Sequence, residues 1–571
     1  MKTLFLITLC TLLTAVSATA QWQSTSYALK GGWNSIYLHG DATHATPEAL
    51  FASHPEVLEV WRWNPNPNQV QFTTTPLLPT TGTPEWSTWV RGGTANTLTQ
   101  LTGQTGYLIR CTGTAANSYT VPLVQRMLPP SATWVRNGAN ALGFPSKLNG
   151  SYPTFSNYFA TFPAAIAANT KIFKYVGGDI SAANPLQVFS PTLERVDRNQ
   201  AYWFDSEVVG NFYAPVQISL SQASGLDFGR TGSVITARVM NRTATPMTIT
   251  IAPVASNAAP AGQDAFTGSV PVTRRTFDSG TAAWVETPIA AAYTEVIAPA
   301  TTVELSFGID RVAMTGAAEA FYASLLRFTD AGNQFDILLP VSARKATLAG
   351  LWIGEAQVKA VESKPAADAV TPTGRSYPLR YLLHVADDGT ARVLSQVFMG
   401  KLAALPNDFG LCTKEAGLKA DEKATASRIA AVHMPLNRVL DGTSGTGSGS
   451  VAIPGTLVRK ITVPFNDPTN PFVHQYHPDH DNKDAKGNAL PNGFESYNIE
   501  REVTFTFTAN PPAGSSVTSG WGSSVIGGTY AEVVQGLHKD SAGVGTGNGL
   551  QITGTFELRR ASEIGSISVT P

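Results

Sequence analysis

Ser233-Val234-Ile235-Thr236-Ala237-Arg238-Val239, a turn at Asn241-Arg242-Thr243, and Met247-Thr248-Ile249-Thr250-Ile251 behind Pro246 form the stretch on which the fold class turns. Branched apolar residues alternate with polar ones at period two, the signature of a strand with one buried face. The Asn241-Arg242-Thr243 segment reads as the turn between them. Further strands are expected over 302–307, 322–328 and 335–341, with Asp330-Ala331-Gly332-Asn333 as turn chemistry before the last. Roughly six or seven short strands across residues 215–345 predict a β-sandwich.

On the N-terminal side two segments repeat an order of features. Gly32-Trp33-Asn34-Ser35-Ile36-Tyr37-Leu38 is answered by Gly138-Ala139-Asn140-Ala141-Leu142-Gly143-Phe144. A short helix follows each: one capped by Thr46 with Pro47 at its first position, the other over 155–166 and interrupted by Pro163. Then come the aromatic strands Val60-Trp61-Arg62-Trp63 and Ile172-Phe173-Lys174-Tyr175, and the closing strands Gly106-Tyr107-Leu108-Ile109 and Ala201-Tyr202-Trp203-Phe204. This predicts a duplicated small α+β or mostly-β module, residues 21–128 and 129–214.

On the C-terminal side, residues 346–571 predict an antiparallel β-barrel or sandwich with long loops. Gly350-Leu351-Trp352-Ile353-Gly354 opens a strand, and Asp387-Asp388-Gly389 turns a hairpin. Glu502 to Thr508 alternates strictly, and Ile552, Gly554, Phe556 and Leu558 share one face of the last long strand. The run 410–433 has the composition of a helix, and Gly442 to Ser450 that of a linker. The expected class is mainly β and multidomain.

The chain has 571 residues, only 14% of them charged, and a net charge of −1. That balance gives no electrostatic reason for a nucleic-acid partner. Lys2, the apolar run 4–16 and Ser17-Ala18-Thr19-Ala20 read as a secretory signal peptide, residues 1–20, so an exported chain is expected at the cell surface, outside the cell or in the periplasm. No later run reaches the ~18 apolar residues of a transmembrane segment. Of the three cysteines, Cys111 and Cys412 follow the cleavage site, too few for a disulfide scaffold.

Two clusters are candidates for function. Trp86 and Trp89 belong to a group of tryptophans in the first quarter of the chain, which can serve as a carbohydrate platform or as packing. The loop Pro471-Phe472-Val473-His474-Gln475-Tyr476-His477-Pro478-Asp479-His480-Asp481-Asn482-Lys483-Asp484 concentrates metal-ligating types. His474, His477 and His480 offer nitrogens for zinc, but Pro478 breaks the helix that would gather them. Asp479, Asp481, Asn482 and Asp484 offer oxygens for calcium. Against a twelve-residue calcium loop begun at Asp479, Lys483, Asp484 and Leu490 stand where an oxygen ligand, Gly and Glu belong. A polar loop with satisfied side chains is the remaining reading.

The Gly-Trp-Asn opening with its Tyr-Leu-Ile close resembles N-terminal segments of large uncharacterised exported bacterial multidomain β-proteins, over about the first 200 residues. Leu226-Asp227-Phe228-Gly229 and the strands after it resemble immunoglobulin-like modules of bacterial surface proteins, and His-Pro-Asp-His-Asp-Asn resembles a motif of the same exported proteins. The resemblance implies location and modularity. The expected function is a non-enzymatic structural or adhesive protein of the cell surface or secreted matter, with polysaccharide or surface components as partners. A carbohydrate-binding protein using the tryptophans is the alternative, and a metal-dependent hydrolase using the His/Asp loop is the second.

Overall fold

The computed structural model describes residues 21–64, 85–136, 138–147, 152–181, 184–364, 371–393, 396–397, 399–401, 409–411, 434–435, 446–463, 486, 488, 499–515, 519–535 and 549–566. These are overwhelmingly β, and the chain divides into two compact units. The first holds residues up to 281 with 286–309 and 320–344. The second holds 345 onward with 282–285 and 310–319.

The first unit begins as stacked sheets. Strands Trp22–Lys30, Ser118–Met127 and Gly40–Asp41 form one sheet, and Gly32–Leu38, Thr105–Cys111, Val57–Trp63 and Trp86–Val90 form the next, in those orders. A third sheet runs Gly138–Leu142, Tyr202–Ser206, Lys171–Lys174, Leu186–Gln187. The second and third sheets share one strand order: opening, closing, aromatic, additional. Their helices also match. Thr46 caps Pro47–Leu50 and accepts from the Ala49 N–H, while Thr154 caps Phe155–Tyr158 and accepts from the Asn157 N–H. The second helix does not run through to Ile166. It stops at Tyr158, and Pro163–Ile166 is a separate 3₁₀ turn, because Pro163 can donate no backbone bond to an earlier carbonyl.

The second sheet is buried on both faces. Val60, Tyr107, Ile109 and Trp89 pack against Tyr27, Leu29, Val121 and Leu123 of the first sheet. Trp61, Trp63, Trp86 and Leu108 pack the other way, against Trp203 and Tyr175. Period two still assigns the faces, but with no face left to water it assigns apolar residues to both. The third sheet behaves alike: Trp203 faces this cluster, while Phe204 meets Trp134 at 5.0 Å between ring centres on the other side.

The middle segment supplies two five-stranded sheets. One contains Val216–Leu220, Val234–Asn241, Thr302–Ile309, Val272–Asp278 and Ala283–Pro288. The other contains Leu226–Asp227, Asp336–Arg344, Phe321–Asp330, Met247–Ala255 and Tyr293–Ile297. Both strands read from the sequence are present, and the turn between them carries the chain from one sheet to the other. Asn241 bridges the two sheets by donating to the Ile297 carbonyl at 3.1 Å.

The second unit is built on an eight-stranded antiparallel sheet: Ala391–Val393, Thr371–Val385, Gly350–Lys364, Gly549–Ser562, Val525–Gln535, Ile499–Phe507, Gly455–Val463 and Thr446–Gly449. It curls far enough to bring its ends together. Arg459 on the seventh strand donates through Nη2 to the Ala391 carbonyl of the first at 2.7 Å. Gly354 and Gly554 allow the bend: a Cβ on either would lie 2.0 Å from a backbone oxygen of the neighbouring strand. Of the expected face, Ile552, Phe556 and Leu558 line the interior with Trp352, Tyr381, Phe505 and Tyr530. Of the expected linker, Thr446–Gly449 is instead an edge strand paired with Leu457–Lys460. Glycine and serine carry no apolar signal, so the backbone ladder that holds them is invisible to periodicity. Most of the run expected to be helical, 412–433, lies outside the described residues, as do the segment expected to be a signal peptide and Cys412.

Candidate functional site

Trp86 and Trp89 do not form a platform. They are 5% and 3% exposed, on opposite faces of the second sheet. Trp86 meets Trp63 and Trp203 at 5.2 and 5.7 Å between ring centres. Trp89 packs on Phe51, and its indole N–H donates to Glu48 at 3.1 Å. A buried indole has no face for a sugar ring, so of the two readings of this pair the burial fits packing. His474, His477, His480, Asp479, Asp481, Asn482 and Asp484 lie outside the described residues, and the calcium and hydrolase readings rest on them. Among the described residues no three of His, Cys, Asp or Glu are grouped to hold a metal ion.

The first unit has a cleft of about 320 Å³ where the second and third sheets meet. One wall comes from the end of Val57–Trp63 and its continuation: Arg62, Trp63 and Asn64. Gln104 to Gly106 close that side, and Ser131 to Thr133 and Ala139 to Leu142 form the other. The sheets approach closely here because position 106 has no side chain: a Cβ there would sit 3.1 Å from both the Ala141 carbonyl oxygen and the Ala201 Cβ.

Several polar wall residues are held by the backbone or by a neighbour. Asn140 accepts from the Val135 N–H at 2.7 Å and donates to its carbonyl at 3.0 Å, fixing the loop that borders the cleft. Gln104 donates to the His39 carbonyl at 2.6 Å and accepts from the Ser131 N–H at 3.3 Å. Arg62 Nε donates to Asn64 Oδ1 at 3.3 Å, and Asn64 Nδ2 donates to Ser87 Oγ at 3.0 Å. The resulting wall mixes amides, hydroxyls and one guanidinium, and among the described residues includes no carboxylate. Trp63 is 4% exposed and shows the cleft little of its ring.

Such a wall can both donate to and accept from the same ligand atom, which is what a hydroxyl requires. The volume has room for on the order of ten non-hydrogen atoms at the ~30 Å³ of a liquid water, the size of one sugar ring. The sequence singled out Trp86 and Trp89 and missed Arg62, Asn64, Gln104 and Asn140. A signal was present for Asn140, since Gly138-Ala139-Asn140 repeats the Gly-x-Asn of Gly32-Trp33-Asn34. Gln104 carried none.

Two features elsewhere are structural. Arg198, 6% exposed, donates to the Ser146 carbonyl at 3.0 Å and also to the Asp336 carbonyl, while its own carbonyl lies 2.7 Å from His39 Nε2. It thereby joins His39 and Ser146 of the N-terminal part to the middle segment. Inside the second unit, the Tyr381 and Tyr530 hydroxyls lie 2.6 Å apart, Tyr530 donates to Glu532, and Glu532 pairs with Arg501. Burial pushes both tyrosines well above their usual range, and the Glu532 charge adds to this. The members satisfy one another, so the group specifies the interior.

No helix among the described residues is long and apolar enough to cross a membrane. No protein-family model and no curated protein matches the chain. Among solved structures the chain is similar to a structural-genomics protein of unknown function from Bacteroides ovatus, at 11% identity, covering 61% of this chain and 96% of that one. The TM-score is 0.13, which supports no argument about fold or function.

Proposed function

We propose that the protein is an exported binding and structural element of a bacterial surface or of secreted matter, and that the cleft beside Arg62 and Asn64 holds one sugar residue of a glycan. The observation that carries this reading is the wall itself: amides and hydroxyls, several of them held by backbone or side-chain bonds, one guanidinium, and no carboxylate among the described residues, around a volume of one ring. Walls that are already bonded lose little entropy on binding. The interlock at Arg198 fits a load-sharing role, because the cleft-bearing sheets cannot swing independently of the middle segment.

The test is a glycan array probed with the labelled full chain, alongside Arg62→Ala and Asn64→Ala. Binding to a subset of glycans, lost in both variants at unchanged urea midpoints, is the expected result. Silence across the array, or binding indifferent to both substitutions, would overturn the reading.

A further inference from the structure

A second cavity lies within the second unit, at one end of the curled sheet. Its volume is about 360 Å³. The mouths of β-barrels are recurrent ligand sites, and this volume falls within the range of such sites. The base is apolar: Val385 and Val451 belong to the interior of the sheet, and Ile453 packs against them. The other end is cationic. Arg311, 4% exposed, and the half-buried Lys345 line it, and Asp387, the one carboxylate on the wall among the described residues, is exposed.

The local sequence explains why the cations sit there. Asp310 Oδ1 accepts from the Val312 and Ala313 N–H groups at 3.0 and 3.3 Å, an Asx turn that folds the 310–319 segment tightly. Gly522, at φ +83°, lets the opposing loop come close, since a Cβ there would lie 2.8 Å from Val312 Cγ2. The Lys345 carbonyl accepts from the Glu319 N–H at 2.9 Å, and Arg560 donates to the Thr347 carbonyl. Both ends of the wall are therefore fixed by backbone bonds.

We infer that this cavity binds a small amphipathic carboxylate, with its chain against Val385, Val451 and Ile453 and its carboxylate toward Arg311 and Lys345. A guanidinium presents paired donors that match a carboxylate, and a buried one is less screened than a surface charge. The space accepts on the order of ten non-hydrogen atoms at ~30 Å³ each, which corresponds to an aliphatic acid of medium length. A neutral amide of that length keeps the apolar contact and loses the charge. Acetate keeps the charge and loses the chain.

The experiment is calorimetric titration of the full-length chain with octanoate, octanamide and acetate. Saturable one-site binding of octanoate is expected, with octanamide and acetate each about tenfold weaker or more, equivalent to ~1.4 kcal/mol. Lys345→Gln should weaken octanoate severalfold and leave octanamide unchanged, with an unaltered circular-dichroism melt. Arg311→Gln should weaken it further; should that variant not fold, Lys345→Gln alone decides. Absence of saturation, octanamide binding as tightly as octanoate, or indifference to Lys345→Gln would each overturn the inference.

Discussion

Asn34 and Asn140 make the same pair of bonds on the opening strands of two different sheets. Asn34 accepts from the Lys30 N–H at 2.9 Å and donates to the Lys30 carbonyl at 2.7 Å; Asn140 does the same to Val135 at 2.7 and 3.0 Å. Both side chains are buried, 5% and 4% exposed. Replacing either by Ala removes this partner from a part-buried backbone donor and acceptor. The expected loss is about 1–3 kcal/mol for each site, read as a lower urea midpoint by tryptophan fluorescence. The two clamps share no partner, so the double variant should lose about the sum.

Trp86→Ala is expected to act on stability before it acts on any ligand. The indole is held among Trp61, Trp63 and Trp203, and no neighbour can refill its volume without moving a second sheet. Deleting a buried Trp costs about 3–5 kcal/mol. A urea midpoint unchanged by this substitution would contradict the packing role.

How far the sequence could be read follows from what kind of interaction fixed each part. Strands with one wet face were legible by alternation, as at Glu502 to Thr508 and Ile552 to Leu558. The Thr46 cap was legible because its partner lies three residues away. Thr154 carries the same cap, and Pro163 marked the interruption that separates this helix from the turn at Pro163–Ile166. Trp86 and Trp89 were ambiguous because their sheet is dry on both sides, and a composition rich in indoles does not distinguish a buried layer from a binding surface. Arg198 to Asp336 and Arg459 to Ala391 join residues far apart in the chain, and no local pattern announces them. The cleft depends on such junctions, which is why its residues were missed while the strands bearing them were found.

Breaking the Arg501–Glu532 pair should cost more than removing it. Both side chains are almost fully buried, at 3% and 2% exposure. Glu532→Ala strands the guanidinium in the aromatic interior, with an expected loss of about 3–5 kcal/mol, whereas Arg501→Met combined with Glu532→Leu should recover most of it. Thermal denaturation of the single and double variants gives the comparison. Equal losses in both would show that the pair, and not the stranded charge, carries the energy.

Cys111 should be inert in the native chain. It is a free thiol buried in the second sheet, and burial, reinforced by the Glu56 charge, pushes it up to about 12. The thiolate is the reactive form, so iodoacetamide at pH 8 should leave Cys111 unmodified until denaturant is added. Peptide mapping by mass spectrometry distinguishes it from Cys412. Rapid native labelling at Cys111 would contradict its burial.

His39 makes the first unit sensitive to acid, and the sign is fixed by its surroundings. Burial, then the Arg198 charge, lowers its pKa from 6.5 to about 3, so in the folded chain the ring stays neutral and Nε2–H donates to the Arg198 carbonyl. In the unfolded chain the same ring takes up a proton near pH 6.5. The unfolded state therefore binds more protons between those values, and stability falls as pH drops through 6.5 toward 3. One group contributes at most a slope of ~1.4 kcal/mol per pH unit. His39→Gln keeps a donor for the carbonyl and cannot titrate. Urea midpoints measured from pH 7 to pH 4 should therefore fall less steeply for His39→Gln than for the native chain. Parallel curves would mean that His39 is charged in the folded state, and the junction at Arg198 would then need a different account.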